Sequence, residues 1–289
     1  SRRIVTIIFG LLSAFSYGYA DFVGALAAKR IRAVAATTYS FSVGLVIALV
    51  LSVFVGADYS AQTIQAGIYA GVCSAIAISC LYAALALGPI SIVSPLTAVV
   101  SAVIPVIFDV VAGQELSSFA IVAVILILIA VVLVGFVPGD KVQLPSLPAF
   151  VYSIGAGLGF SGIFVFLDST GSDSGLAALV VMRVVGLVLL IAGLLVLWLR
   201  QPKNQFIESL TDWKLAGLVV LAGMGDVLGN VTFLIATRSG ALAIAAVLTA
   251  LYPVGTILLA RVFLKERIAL SQGAGIVLAL GACALLAAG

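Results

Sequence analysis

The chain has 289 residues, of which 64% are apolar and only 9% charged. Soluble domains run near about 45–50% apolar and about 25% charged, so a water-facing surface is excluded and the composition reads as an integral membrane protein. Fourteen basic against eleven acidic residues leave a net charge of +3, too weak for a nucleic-acid partner, and the absence of histidine removes His-based metal sites, Ser-His-Asp triads and Cys-His dyads together.

A helix needs about 20 apolar residues to cross the hydrocarbon core, whereas barrel strands would alternate in short segments. The long unbroken runs predict an all-α membrane fold of ten spans, roughly 4–28, 35–56, 64–87, 90–112, 117–136, 149–169, 175–199, 213–237, 240–263 and 270–288. Arg2, Arg3 and the Ala25-Leu26-Ala27 stretch give the first run the outline of a cleavable signal. Its apolar stretch is too long for that, and it has a counterpart later in the chain, so it is read as a span. Only 137–148 and 200–212 read as sizeable loops, and no segment is long enough for a soluble domain. Cys73, Cys80 and Cys283 sit inside apolar runs without C-x-x-C spacing and read as helix filler.

The chain is duplicated. Gly71–Ala98 aligns without a gap on Gly223–Ala250, pairing Leu96-Thr97-Ala98 with Leu248-Thr249-Ala250. Glu115 pairs with Glu266, each in the turn before the last helix of its half, where a carboxylate suits the free N–H groups of the next helix. Gly10 and Phe15-Ser16 pair with Gly155 and Phe160-Ser161. The halves are therefore about 1–140 and 146–289, with five spans each. Five is odd, so the second half is inverted, the arrangement of secondary transporters whose site lies between repeats near the midplane. Ten basic loop residues (Lys29, Arg30, Arg32, Lys141, Arg200, Lys203, Lys214, Arg261, Lys265 and Arg267) fall on one side against Arg2, Arg3 and Arg238 on the other. The positive-inside rule then places both termini in the periplasm. Trp198 and Trp213 flank the 200–212 loop as an aromatic belt does.

Gly157-Leu158-Gly159-Phe160-Ser161-Gly162 has the letters of a dinucleotide fingerprint but lacks the strand that fingerprint needs. Small residues at this spacing instead let helices approach closely. No nucleophile–base pair or cofactor motif is present, and neither an enzyme, a cofactor nor a metal is expected. Charge inside a span is costly unless paired or hydrated. Asp21 lies near the end of span 1, within reach of the interface. Asp226 sits mid-span with Asn230 one turn on, and Arg183 and Asp109 lie at about the same depth. A structural Arg183–carboxylate pair and a substrate-facing Asp226 or Asn230 both fit. Spans 4 and 9 carry Pro95 with Thr97, and Thr249 with Tyr252 and Pro253; proline frees a backbone carbonyl that persists in a membrane only beside a partner or a cavity. Tyr17, Tyr82, Phe160, Phe164 and Tyr252 are candidate walls, for which packing and cavity lining both fit, and Ser16, Ser79 and Ser161 are smaller polar contacts.

Leu248-Thr249-Ala250-Leu251-Tyr252-Pro253-Val254, then Lys265-Glu266-Arg267-Ile268, then Gly273 and Gly281 resemble the EamA-type repeat of the drug/metabolite transporter superfamily. The resemblance covers essentially the whole chain. It implies a ten-helix exporter of small metabolites with a central cavity among spans 1, 3, 4, 6, 8 and 9; length and tyrosine content look most like bacterial exporters of aromatic amino acids. The expectation is an inner-membrane, alternating-access amino-acid exporter, working as a monomer in the bilayer on a small-molecule substrate. The alternatives are an exporter of other metabolites or drugs, or a non-transporting scaffold. Four-helix members of the superfamily exchange protons through a glutamate in mid-helix 1; here that stretch is Leu12-Ser13-Ala14-Phe15-Ser16, so facilitated export stands beside proton antiport.

Overall fold

Backbone polar groups in lipid must be satisfied within the segment, which leaves the helix as the one solution for an isolated span. The computed structural model describes residues 2–28, 30–87, 90–136, 145–200, 212–265 and 267–288. Its helices are α1 (Arg2–Ala28), α2 (Ala33–Val55), α3 (Ala61–Leu87), α4 (Ile90–Val111), α5 (Ser118–Gly135), α6 (Leu147–Asp168), α7 (Ala177–Arg200), α8 (Trp213–Ser239), α9 (Leu242–Thr249), α10 (Tyr252–Phe263) and α11 (Leu270–Ala288). Counting α9 and α10 as one span, ten are long and apolar enough to cross a membrane. Phe54, Val111 and Leu270 are 82%, 81% and 89% exposed, an outer surface that suits lipid and not water.

The halves run in opposite directions, and one contact demonstrates it. The α2–α3 turn meets the α6–α7 turn through a bridge between Ala57 and Gly175, with Leu176 N–H donating to the Gly56 carbonyl at 3.0 Å and Asp58 N–H to the Ser174 carbonyl at 3.1 Å. In parallel halves the α1–α2 turn would share that end with α6–α7. The neighbour relations also exchange between halves: α1 packs along α8 as α6 packs along α3, α2 meets α8 as α7 meets α3, and α5 meets α11.

Small residues set these contacts. A Cβ at Gly159 of α6 would lie 2.7 Å from the Ala77 Cβ of α3, and one at Gly157 only 2.9 Å from the Thr97 carbonyl of α4. The glycine run of α6 is thus a packing surface between two helices. Cys73 and Cys80 fill the same α3–α6 seam, against Gly162 and Gly155.

Two local expectations change. The ninth span, expected as one helix over 240–263, is broken at Ala250–Leu251, with Pro253 in the first turn of α10. Proline lacks the N–H that would bond the Thr249 carbonyl, and its ring crowds that carbonyl. The start of α5 is capped by Ser117, whose side chain accepts from Ala120 N–H at 3.2 Å, while Glu115 lies two residues earlier and exposed. Glu266 lies outside the described residues; near it, the Gln272 side chain accepts from Ala269 N–H at 3.0 Å.

Candidate functional site

The site is built along one face of α1. Ser13 donates to the Gly229 carbonyl at 2.9 Å, fixing α1 on α8. One turn on, Tyr17 Oη donates to Asn230 Oδ1 at 2.8 Å, and Asn230 Nδ2 donates to the Asp226 carbonyl at 3.0 Å. Gly229 makes room for the ring, since a Cβ there would lie 2.7 Å from Tyr17. One turn further, Asp21 is exposed although it stands within electrostatic reach of Asp226, Tyr82 and Tyr252. Those three come from α8, α3 and α10, so the opening beside Asp21 is a cleft between helices and not the lipid face. Past it, nothing stands within 4 Å of the space above Gly24.

Each of the other walls stands beside a hydroxyl of a neighbouring helix. Tyr82 is bonded to Thr37 of α2, and Tyr252 lies beside Ser94 of α4. Tyr17, Tyr82 and Tyr252 are all partly exposed, as cleft-lining groups are. Thr256, one turn into α10, donates to the Gly18 carbonyl at 3.1 Å and keeps α10 against α1.

Behind this wall lies an ion pair. Arg183 of α7 is completely buried, with Nη1 2.5 Å from Asp226 Oδ2, whose own side chain is 29% exposed. The contact is one of charge and not of hydrogen-bond alignment, for none of the three guanidinium nitrogens has a well-aligned acceptor among the described residues. The guanidinium also sits 4.6 Å from the centre of the Phe41 ring, a cation–π contact. Of the two carboxylates at comparable depth, the pair uses Asp226. Asp109 instead accepts from Ala243 N–H at 2.7 Å, at the start of α9.

The expected site residues therefore divide. Tyr17, Tyr82, Asp226, Asn230 and Tyr252 meet around the cleft. Ser79 is exposed on α3 one turn from Tyr82, and Ser16 is partly exposed with its carbonyl against α8 at Gly225. Thr97 donates to the Ser153 carbonyl at 3.3 Å, and Ser161 to the carbonyls of Gly157 and Val100 at 2.8 and 3.2 Å, so both hydroxyls serve the α4–α6 seam. Pro95 packs on α5 at Gly135. Phe164 is stacked on Phe233 at 4.5 Å inside a buried cluster, and Phe160 packs against that cluster. Thr249 and Pro253 are buried at the helix break, and the Thr249 hydroxyl has no partner among the described residues.

Asp21 was read as lying within reach of the interface and not as a site residue; in the structure it stands one turn from Tyr17 on α1. Its spacing of four from Tyr17, on the same helix face, was the signal in the sequence. Ser94, part of the polar Ser94-Pro95-Leu96-Thr97 stretch, was not placed among the site residues, and Thr37 was not singled out, carrying no pattern beyond a hydroxyl on an apolar helix.

The opposite end of the bundle is tied shut by polar groups. Asp109 tethers α4 to α9, Thr237 of α8 is bonded to Asp168 of α6, and Arg238 Nη2 donates to Thr170 and Ser174 at 3.2 and 3.1 Å. At the end toward which the cleft opens, the corresponding tie is the exposed Arg30–Asp212 pair at 2.9 Å.

A two-fold inverted bundle with a charged cleft between its halves is a transporter's geometry, and the comparisons agree. The EamA-like transporter family matches residues 4–136 and again 147–288. The chain belongs to that family. EamA-like proteins are membrane transporters of small solutes, and this one crosses the bilayer several times. No curated protein matches the chain in sequence. A solved structure titled only "Crystal structure of protein" is 15% identical, with a TM-score of 0.79 over 97% of this chain and 95% of that one. At that identity the likeness speaks for the fold alone.

Proposed function

We propose that this EamA-like protein exports amino acids or related small metabolites, aromatic ones among them, across the bacterial inner membrane by alternating access between its inverted halves, working as a monomer with both termini in the periplasm. The observation that carries the reading is the cleft where α1, α3, α8 and α10 meet. It sets a free carboxylate, a Tyr17–Asn230 pair and two further tyrosines in a span-deep site. A buried ammonium or carboxylate needs hydrogen bonds or opposite charge, and a flat ring needs apolar or aromatic walls; both kinds of group are present. The polar ties at one end and the opening at the other are the features alternating access requires. The site is formed chiefly by Tyr17, Asp21, Tyr82, Asp226, Asn230 and Tyr252, with Ser16 and Ser79 at its edge.

The test is counterflow of labelled amino acids in proteoliposomes, screened across the twenty amino acids and then across sugars and drugs. The expected result is saturable exchange of a subset of amino acids, lost or weakened about tenfold or more in at least one of Asn230→Ala, Tyr82→Ala and Tyr252→Ala. If all three variants insert normally and exchange as the wild type does, the site is elsewhere. No flux of any solute from a well-inserted wild type favours a scaffold.

A further inference from the structure

The charges in the cleft do not balance. Arg183 and Asp226 neutralise each other at 2.5 Å, and Arg183 is wholly covered. Asp21 is exposed, its charged neighbour is a second carboxylate, Asp226, and it has no ion-pair or hydrogen-bond partner among the described residues. The free carboxylate lies one turn from Tyr17 on α1, and Tyr82 of α3 and Tyr252 of α10 stand within its electrostatic reach. Arg30, just after α1, and Lys214, in the first turn of α8, stand around Leu26 at the end of α1, where Arg30 is held by Asp212.

We propose that Asp21 anchors a substrate ammonium group and that the cleft prefers organic monocations, amines with an apolar or aromatic body and no carboxylate, over zwitterions of the same shape. The inference rests on the reading of this cleft as the transport site and shifts its preferred substrate from amino acids to the related amines. A single free anion in a site with little water attracts one cation strongly, and tyrosine faces favour an ammonium group over a neutral or anionic one. A zwitterion brings a carboxylate as well. Among the described residues the cation paired at this depth is Arg183, which would have to release Asp226, leaving a second bare carboxylate beside Asp21. A molecule carrying a carboxylate alone meets only repulsion.

Three ligands with the same phenyl body separate the cases: phenethylamine has the ammonium alone, phenylalanine has both charges, and 3-phenylpropionate has the carboxylate alone. Binding to the purified full-length protein is measured by titration calorimetry, and inhibition of labelled phenylalanine counterflow is measured in proteoliposomes. Phenethylamine is expected to bind at least about tenfold more tightly than phenylalanine, and 3-phenylpropionate most weakly. Asp21→Asn is expected to weaken phenethylamine about tenfold or more while Asp21→Glu holds within a few-fold. Phenylalanine binding as tightly as the amine, no amine binding to the wild type, or a folded Asp21→Asn that binds the amine as the wild type does, would each overturn the proposal. Should Asp21→Asn fail to fold, the wild-type ranking and Asp21→Glu decide. Failure of the parent reading looks different: the ranking and the Asp21 effect hold in calorimetry while no amine or amino acid exchanges across the membrane.

Discussion

At the scale of single residues, the Arg183–Asp226 pair is the costliest feature of the bundle. A buried ion pair gains little over an apolar pair of the same shape, but removing one partner leaves the other uncompensated at a cost of about 3–5 kcal/mol. Arg183 is wholly covered and braced by Phe41, and Gly44 gives it room: a Cβ at Gly44 would come within 3.1 Å of the guanidinium. Arg183→Leu is therefore expected to lower the melting temperature sharply, and the double variant Arg183→Leu/Asp226→Leu to recover most of the loss. A double variant no better than the single would place the cost in lost packing and not in charge. Tyr17 and Asn230 pose a milder case, since their 2.8 Å bond joins two neutral groups. Tyr17→Phe is expected to leave stability within about 1 kcal/mol of wild type and to change substrate affinity more than melting temperature.

At the scale of elements, the break between α9 and α10 and the close α3–α6 seam carry the argument. Pro253 sits where the ninth span divides, whereas α4 runs unbroken through both Pro95 and Pro105. The surroundings differ: Pro95 is wedged against Gly135 of α5, while the start of α10 is tied to α1 through Thr256. Breaks of this kind are natural hinges. Pro253→Ala is expected to preserve binding within about twofold and slow counterflow several-fold, read as maximal rate against half-saturation; an unchanged rate would remove the hinge. Gly159→Val, by contrast, drives a branched side chain into the Ala77 backbone, 2.8 Å from a Cβ at that position, and is expected to yield protein that aggregates or melts early, read by size-exclusion profile and thermal melt.

These elements also mark what the sequence could show. Ten apolar runs, a duplicated half and an odd number of spans are properties of composition and spacing, and they suffice for the inverted bundle. The break at 250–251 was hidden because apolar content does not change across it. The site was legible where a polar group breaks an apolar run with no local excuse, as at Asp226, Asn230 and Tyr17. It was not legible where the partner is a distant helix: nothing near Thr97 or Ser161 says that its hydroxyl is spent on the neighbouring helix, and nothing near Phe164 shows the Phe233 ring stacked on it. Asp21 was left out of the site for the same reason, since the groups within its electrostatic reach belong to α3, α8 and α10. The turn glutamate at 115 was read as a cap on position alone, and Ser117, in the extended conformation that caps require, holds that place.

At the scale of the whole molecule, the two ends differ. One is closed by the Asp109 contact between halves and by the Asp168 and Arg238 contacts within the second half, and the other opens beside Asp21 and Gly24. In the proposed orientation the open end faces the cytoplasm; a reporter fused at Ser1 is then expected to read as periplasmic, and a cytoplasmic reading would reverse the assignment without touching the inversion. The central claim is that one cleft between the inverted halves is reached alternately from the two faces of the membrane. It is tested most directly by placing a cysteine at Ser79, in a chain whose three native cysteines are replaced by alanine, and labelling it with an impermeant thiol reagent from each face of sealed proteoliposomes. The account predicts labelling from the face that bears Arg30 and Asp212, slowed by a saturating transported solute, with labelling from the other face appearing when Asp109→Asn and Asp168→Asn loosen the closed end. Equal labelling from both faces at the outset, or labelling from the first face that no solute slows and no loosening redirects, would contradict it.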